Sequence, residues 1–252
     1  MITFLALGNY GRLGNQMFQV AATLAAASRA SAKACFPPGT AIQDTFELPN
    51  CTFQEDSQPS FEYLEKSFEF NPEVLLIPSN VNLHGYFQSE KYFLDAEDVI
   101  KRNFQFKPEI KEKAASLISM IGDNICAVHV RRGDYLNLQH IHKAPGNEYY
   151  ENAIKMINEQ SKNTKFLIFS DDIEWCKSSE IFKNCLFSEQ ADDRVEMCMM
   201  TLCDSHIIAN SSFSWWGARL AKSKMTIAPA PWFGEAGPKN WKDVYCRGWI
   251  KL

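Results

Sequence analysis

The sequence lacks any apolar run long enough to cross a bilayer. The stretch MFQVAATLAAAS at 17–28 falls short of the ~20 residues that a spanning helix needs. It also lacks the basic head of a secretory signal. No charge precedes the apolar start Met1–Ala6, and the first basic residue, Arg12, sits inside a Gly-rich turn. That order does not fit a secretory leader, so the expectation is a cytoplasmic chain without a membrane span. There is no basic surplus either. Lys and Arg number 26 against 30 Asp and Glu, for a net charge of -4. A protein built around a nucleic-acid backbone usually carries the opposite balance, so nucleic acid is not the expected partner. Any bound anion must be met by a few local arginines.

Metal-ligand patterns are missing as well. Eight cysteines are present (Cys35, Cys51, Cys126, Cys176, Cys185, Cys198, Cys203 and Cys246), with no C-x-x-C pair and no His–Cys cluster of zinc spacing. Cys126, Cys198 and Cys203 fall in apolar segments, so these thiols read as reduced and buried. The turn Gly11-Arg12-Leu13-Gly14-Asn15-Gln16 has neither the G-x-G-x-x-G spacing nor a Walker lysine–hydroxyl pair. Dinucleotide and P-loop binding are therefore unsupported, although its glycines allow a ligand close to the backbone.

What is present is a chain of 252 residues, 46% hydrophobic, enough for one large domain or two small ones. Short apolar runs alternate with longer amphipathic ones. The pattern predicts strands at Ile2–Leu7, Val81–Tyr86, Ile125–Arg131, Phe166–Ser170, His206–Ala209 and Met225–Ala228. Predicted helices cover Asn15–Ala30, Ala96–Asn103, Glu109–Ile121, Glu148–Glu159, Ile173–Ser178, Asp192–Cys203 and Trp215–Ala221. Such alternation implies an α/β fold with mainly parallel sheets. Cys35–Pro78, rich in Pro, Gln, Ser and Phe, reads as loops and short pieces. A second βα series begins near Ile125. Two Rossmann-like halves follow, with a joint near 104–123 and domains at 1–118 and 119–252.

Two segments carry chemistry. Ala127-Val128-His129-Val130-Arg131-Arg132-Gly133-Asp134-Tyr135 starts as a strand and turns at Gly133. Ligands of open α/β sheets bind beyond the carboxyl ends of strands. There the planar fork of an arginine suits a phosphate oxygen pair. Strand alternation puts His129 and Arg131 on one face and Arg132 on the other. Arg131 is thus expected to reach a ligand with His129, and Arg132 to pair with Asp134 or a neighbouring carboxylate. A plain strand-end salt-bridge cluster accounts for the same spacing. The second segment, Asn210-Ser211-Ser212-Phe213-Ser214-Trp215-Trp216-Gly217, follows an apolar strand and opens a helix. Hydroxyls at a helix start suit phosphate; an ordinary Ser cap above core tryptophans is the other reading. The sequon Asn210-Ser211-Ser212 lies inside this segment and is expected to be buried.

Taken together, GRLGNQMFQ (11–19), HGYFQSEKYF (84–93), VHVRRGDY (128–135), FSDD (169–172) and CDSHIIANSSFSWWGARLA (203–221) resemble the α-1,2-fucosyltransferases of glycosyltransferase family eleven. They resemble the wider superfamily with α-1,6- and protein O-fucosyltransferases more loosely. The pieces stand in the family's order and span nearly the whole chain. The resemblance implies a GT-B-type fold, two Rossmann-like domains facing across a cleft, with the acceptor on the N-terminal side and GDP-fucose on the C-terminal side. It implies an inverting, metal-independent transfer of L-fucose from GDP-β-L-fucose to the 2-hydroxyl of a galactose-containing glycan. Asp171-Asp172 are adjacent rather than spaced as a metal-binding D-x-D, and no cofactor is expected.

Residue by residue, the resemblance assigns Arg131 to the β-phosphate and to the charge on departing GDP. His129 is assigned to the nucleotide or its phosphates, and Ser211, Ser212 and Phe213 to the diphosphate. Glu196 would accept hydrogen bonds from guanine, whose edge presents N–H donors. Gly14 and Asn15 would approach fucose and phosphates from the first domain, with Arg12 a weaker candidate. The general base is left open among Asp134, His140, His142 and Glu148. Acceptor contacts are expected between residues 30 and 80 and around Gly85–Phe93. Alternatives are another linkage, a protein O-fucosyltransferase, or a non-catalytic GDP-sugar or glycan-binding protein.

Overall fold

The computed structural model describes all 252 residues, Met1–Leu252. They form two compact units, Met1–Lys107 with Asn240–Cys246, and Pro108–Lys239 with Arg247–Leu252. The first division falls inside the expected joint but before the expected boundary at 118. The helix Pro108–Ile121 packs within the second unit. Residues 240–246 return to the first unit, a connection that no local sequence signal announces.

The first unit holds a five-stranded parallel sheet. Its strands are β1 (Ile2–Thr3), β2 (Ala34–Phe36), β3 (Cys51–Phe53), β4 (Phe61–Leu64) and β5 (Val81–His84), in the order β3-β2-β1-β5-β4. Helix α1 (Leu13–Arg29) packs on β1. Its run Val20–Ala27 is buried throughout. Alanine is the best helix former and adds little bulk, so a helix rich in it can be enclosed on all sides. Two short helices, α2 (Ala41–Thr45) and α3 (Glu97–Asn103), pack on α1. The three strands within 35–78 are the main departure from the sequence reading. Each has three or four residues, too few to display a period of two, and pairing across the sheet fixes them instead.

The second unit holds a six-stranded parallel sheet. After α4 (Pro108–Ile121) come β6 (Ile125–Val130), α5 (Asn147–Gln160), β7 (Lys165–Ser170), α6 (Ile173–Ser178), β8 (Leu186–Phe187), α7 (Asp193–Thr201), β9 (Ser205–Ile207), α8 (Ser212–Leu220), β10 (Met225–Ala228) and β11 (Ile250–Lys251). The strand order is β11-β10-β9-β6-β7-β8. β6 is buried at every position, as expected for a parallel strand covered on both faces. Tyr149, Tyr150, Ala153 and Ile157 form the apolar stripe of α5 over Cys126, Val128, Val130, Ile168 and Ile207. The chain runs β6, β7, β8 outward on one side and then crosses to β9, β10, β11 on the other. That reversal between β6 and β9 is where a doubly wound sheet opens a crevice at its carboxyl edge. The expected α/β architecture of two Rossmann-like, parallel-sheet domains is thus observed. No helix is long and apolar enough to cross a membrane.

Candidate active site

Both chemistry-bearing motifs end at this reversal. Arg131 and Arg132 follow the last residue of β6, and Asn210–Ser212 join β9 to α8. His129, the penultimate residue of β6, is buried. Its Nδ1 lies 2.8 Å from Ser214 Oγ, 85 residues away, and its carbonyl accepts a 3.2 Å bond from the Tyr150 hydroxyl. Burial, and secondarily the Arg131 charge, push His129 down to about 3. The imidazole is therefore neutral at pH 7. Ser214 Oγ also lies 3.4 Å from Ser211 O and 3.5 Å from Ala209 O. The Phe213 ring stands 5.7 Å from the imidazole.

Arg131 is held by two carboxylates, Asp134 Oδ1 at 2.6 Å and Asp171 Oδ2 at 3.0 Å. Its guanidinium also lies over the Tyr135 ring at 5.4 Å. Arg132 instead pairs with Asp172 at 3.1 Å and stacks 3.7 Å over Trp175 of α6. The two arginines take different partners, and of the two expected for Arg132, Asp134 or a neighbouring carboxylate, the structure gives the second. Asp134 pairs with Arg131, not Arg132, because the 3-10 turn Asp134–Asn137 brings the carboxylate back beneath Arg131. Asp134 is thereby engaged in an ion pair. Asp171 and Asp172, to which the sequence reading gave no role toward the arginines, pair with Arg131 and Arg132 respectively. Asp171 also accepts the Arg132 backbone N–H at 2.9 Å. A Cβ on Gly133 would stand 2.5 Å from Asp171 Oδ2, so glycine is what lets the turn close over this carboxylate.

Ser211 caps α8, accepting from the Phe213 backbone N–H at 3.3 Å. Ser212 and Phe213 occupy the first turn, where a helix presents N–H groups without intrahelical partners and a positive dipole end. Asn210 is buried, as expected for the sequon. Its side-chain amide donates to Lys143 O at 3.0 Å and Trp232 O at 2.9 Å, and its backbone carbonyl accepts from the Tyr135 hydroxyl at 2.9 Å. These bonds tie the loops after β6, β9 and β10 together.

Glu196, in the first turn of α7, accepts a 2.7 Å bond from Ser188, the residue after β8. It lies at the same sheet edge, two strands beyond β6. Burial raises it to about 7, and Ser188 opposes the shift. Of the remaining base candidates, His140 is exposed, as is Glu148 in the first turn of α5. His142 is stacked on Tyr135 at 4.7 Å, and burial lowers its pKa. No group of three or more His, Cys, Asp or Glu side chains converges in a way that would hold a metal ion.

Gly14 and Asn15 belong to the first unit, in the first turn of α1, directly after the exposed Arg12. They sit at that sheet's own reversal, between β1 and β5. Asn15 Oδ1 accepts from Gln88 Nε2 at 2.9 Å. Gln19, one turn further along α1, donates to Tyr10 O at 3.1 Å and lies 3.5 Å from Gly85 O.

Two parallel-sheet Rossmann-like units define the GT-B class of transferases, and solved structures share the fold. POFUT1 in complex with GDP-fucose superposes with a TM-score of 0.59 at 13% identity, over 90% of this chain and 97% of that one. The fucosyltransferase NodZ from Bradyrhizobium gives 0.57 at 14%, over 87% and 92%. Within that class, the model for glycosyl transferase family 11 matches residues 62–252, and the chain belongs to this family. An α-1,2-colitosyltransferase of Escherichia coli is 38% identical over 187 residues, 69% of this chain and 63% of the relative. The E. coli O-antigen biosynthesis glycosyltransferase WbnK is 30% identical over 202 residues, 74% of this chain and 66% of the relative. Human galactoside α-(1,2)-fucosyltransferase 1 is 27% identical over 232 residues, 84% of this chain and 64% of the relative. The chain thus matches just under two thirds of each relative's length.

Proposed function

We propose that this protein is an inverting glycosyltransferase that moves L-fucose from GDP-β-L-fucose to the 2-hydroxyl of a galactoside, forming an α-1,2 linkage. The family and the activities named for its relatives support this reading. The observation that carries it is the meeting of Arg131, His129 and the α8 N-terminus at the reversal of the second sheet. Arg131 and the first-turn N–H groups of α8 take the diphosphate. As the C1–O bond breaks, its electron pair leaves with GDP, and the arginine stabilises that charge, the task a metal performs in other transferases. No metal is required in this reading, and the protein acts in the cytoplasm.

The local charge balance refines the roles. Arg131 and Arg132 face three carboxylates, Asp134, Asp171 and Asp172. The cluster therefore pre-orients the arginine rather than attracting phosphate by surplus charge, and α8 supplies the remaining positive field. Neutral His129, anchored through Nδ1 to Ser214, contacts the nucleotide or its phosphates. Asp134 is a positioning residue for Arg131. Glu196 with Ser188 forms the guanine end, while Gly14 and Asn15 serve the sugar from the first unit.

The colitosyltransferase relative favours a second donor, since colitose is the 3-deoxy analogue of fucose. The test is incubation with lactose, EDTA and either GDP-fucose or the corresponding GDP-colitose, with product linkage read by NMR. An α-1,2-fucosylated product supports the first reading, and exclusive use of the deoxy donor the second. Donor binding without transfer to any glycan would identify a GDP-sugar-binding protein, and a requirement for divalent metal would overturn the assigned role of the arginine. Arg131→Ala is expected to lower kcat by about 10²–10³-fold in steady-state assays, with the circular dichroism spectrum unchanged. Wild-type turnover in that variant would remove Arg131 from the mechanism.

A further inference from the structure

The first unit presents a second organised site at the carboxyl edge of its own sheet, where β1 and β5 diverge. Tyr10 comes from the loop after β1, and His84 and Tyr86 from the end of β5. The Tyr10 ring lies 4.8 Å from the His84 ring and 6.2 Å from the Tyr86 ring, edge-on to both. Tyr86 is 42% exposed, whereas its neighbour Phe87 is fully buried. Glu62, on the adjacent strand β4, places Oε1 3.7 Å from His84 Nδ1 and leaves its carboxylate open to solvent.

The loops carrying these rings are fixed from below by polar side chains, Gln19 and Asn82 buried and Glu65 half-buried. Gln19, fully buried, bridges Tyr10 O and Gly85 O. Glu65 accepts the backbone N–H groups of Tyr86 at 2.7 Å and Phe87 at 3.1 Å. Asn82 accepts from Leu5 N at 2.9 Å and donates to Glu62 at 3.2 Å. The turn itself is strained. Phe87 adopts a φ of 53°, and Gly85 a φ of 153°. Any Cβ on Gly85 would stand 2.4 Å from Glu65 Cβ. Polar side chains devoted to loop backbone, with a non-glycine residue in the left-handed region, characterise a surface held in one shape for a ligand.

We propose that Tyr10, His84 and Tyr86, with Glu62 at the rim, form the subsite for the neutral pyranose of the acceptor. The proposal rests on the transferase reading and adds to it the residues that recognise the acceptor. Aromatic faces match the apolar C–H face of a pyranose, and a carboxylate beside an imidazole matches adjacent hydroxyls, which donate to one and bond with either nitrogen of the other. The exposed Glu62 carboxylate opposes an anionic ligand, which sets this edge apart from a phosphate site.

The experiment measures initial rates against lactose and GDP-fucose, together with saturation-transfer NMR of lactose in the presence of GDP, for the wild type, Tyr86→Ala, Tyr86→Phe and Glu62→Gln. Tyr86→Ala is expected to raise the lactose KM about 5–10-fold and to weaken the lactose saturation transfer. The KM for GDP-fucose and the calorimetric Kd for GDP should stay within about twofold of wild type. Tyr86→Phe should restore the wild-type values, since the ring and not the hydroxyl makes the stack. Glu62→Gln should raise the lactose KM without touching the donor. An active wild type whose lactose KM and saturation transfer are unmoved by Tyr86→Ala overturns the subsite and leaves the transferase standing. A parallel loss of GDP affinity assigns the rings to the nucleotide and overturns it as well. Failure of the wild type to bind or turn over any GDP-sugar overturns the transferase reading itself.

Discussion

Glu196 shows how one residue's surroundings set what it can do at a given pH. Burial raises its carboxyl from the usual 4.5 to about 7. The folded protein therefore holds a proton there that the unfolded chain releases at lower pH. The stability from that proton is complete below the unfolded value and is lost as pH rises through 7. Glu196→Gln is expected to melt higher than wild type at pH 8, by about 1–2 kcal/mol after solvent screening, and to match it at pH 4. Calorimetric melts at the two pH values measure this, and equal wild-type and variant stability at pH 8 would contradict the shift. Binding should move the opposite way. Accepting from guanine N–H donors requires the ionised carboxylate, so GDP affinity should fall between pH 8 and 6 in the wild type and stay flat in Glu196→Gln. His129 contributes no such step, because at about 3 it stays neutral throughout that range.

Among the elements, α8 matters most to the site, since its first turn faces the sheet edge and its body is buried against α7. The closest approach is at Gly217, where a Cβ would stand 2.9 Å from both Met200 Cβ and Met200 Sδ. Gly217→Ala therefore forces the two helices apart. It is expected to cost about 1–3 kcal/mol of stability by chemical denaturation, and to weaken GDP binding as the α8 N-terminus shifts. Unchanged stability would show that Met200 moves aside freely. At element level the sequence was readable wherever an element ran to six residues or more. α6 and β10 fall where the pattern puts them, and α5 and β6 fall within a residue of it. β2, β3, β4, β8 and β11 were not readable. These strands have only two to four residues and lie outside any longer apolar run, so pairing with a neighbour defines them.

At the scale of the molecule, each unit is closed by chain that arrives from far along the sequence. Asn240–Cys246 packs into the first unit, and Arg247–Leu252 returns to the second as β11. Leu252 donates its backbone N–H to Ala228 O at 3.0 Å and accepts from Ala230 N at 2.7 Å. Removing 247–252 would strip the edge from β10, and Ile227, now fully buried, would lose cover. The truncated protein is expected to lose hydrogen-exchange protection in β9 and β10 and to bind GDP more weakly, while β1 and β5 keep their protection. Uniform loss across both sheets would show that the two units unfold as one.

Composition and apolar periodicity determined the α/β class and the two parallel-sheet halves, and the order of the motifs carried the resemblance to the family. The first follow from local facts, namely apolar periodicity and turn glycines, and the last from likeness to known motifs. Only the tertiary structure decided which side chains meet. Arg131 against Asp171, His129 against Ser214, Glu196 against Ser188 and Tyr10 against His84 are pairings made between separate strands and loops. A sequence lists donors and acceptors without their partners. The partners are set by the order in which parallel strands assemble, because that order brings the ends of distant segments to a common sheet edge.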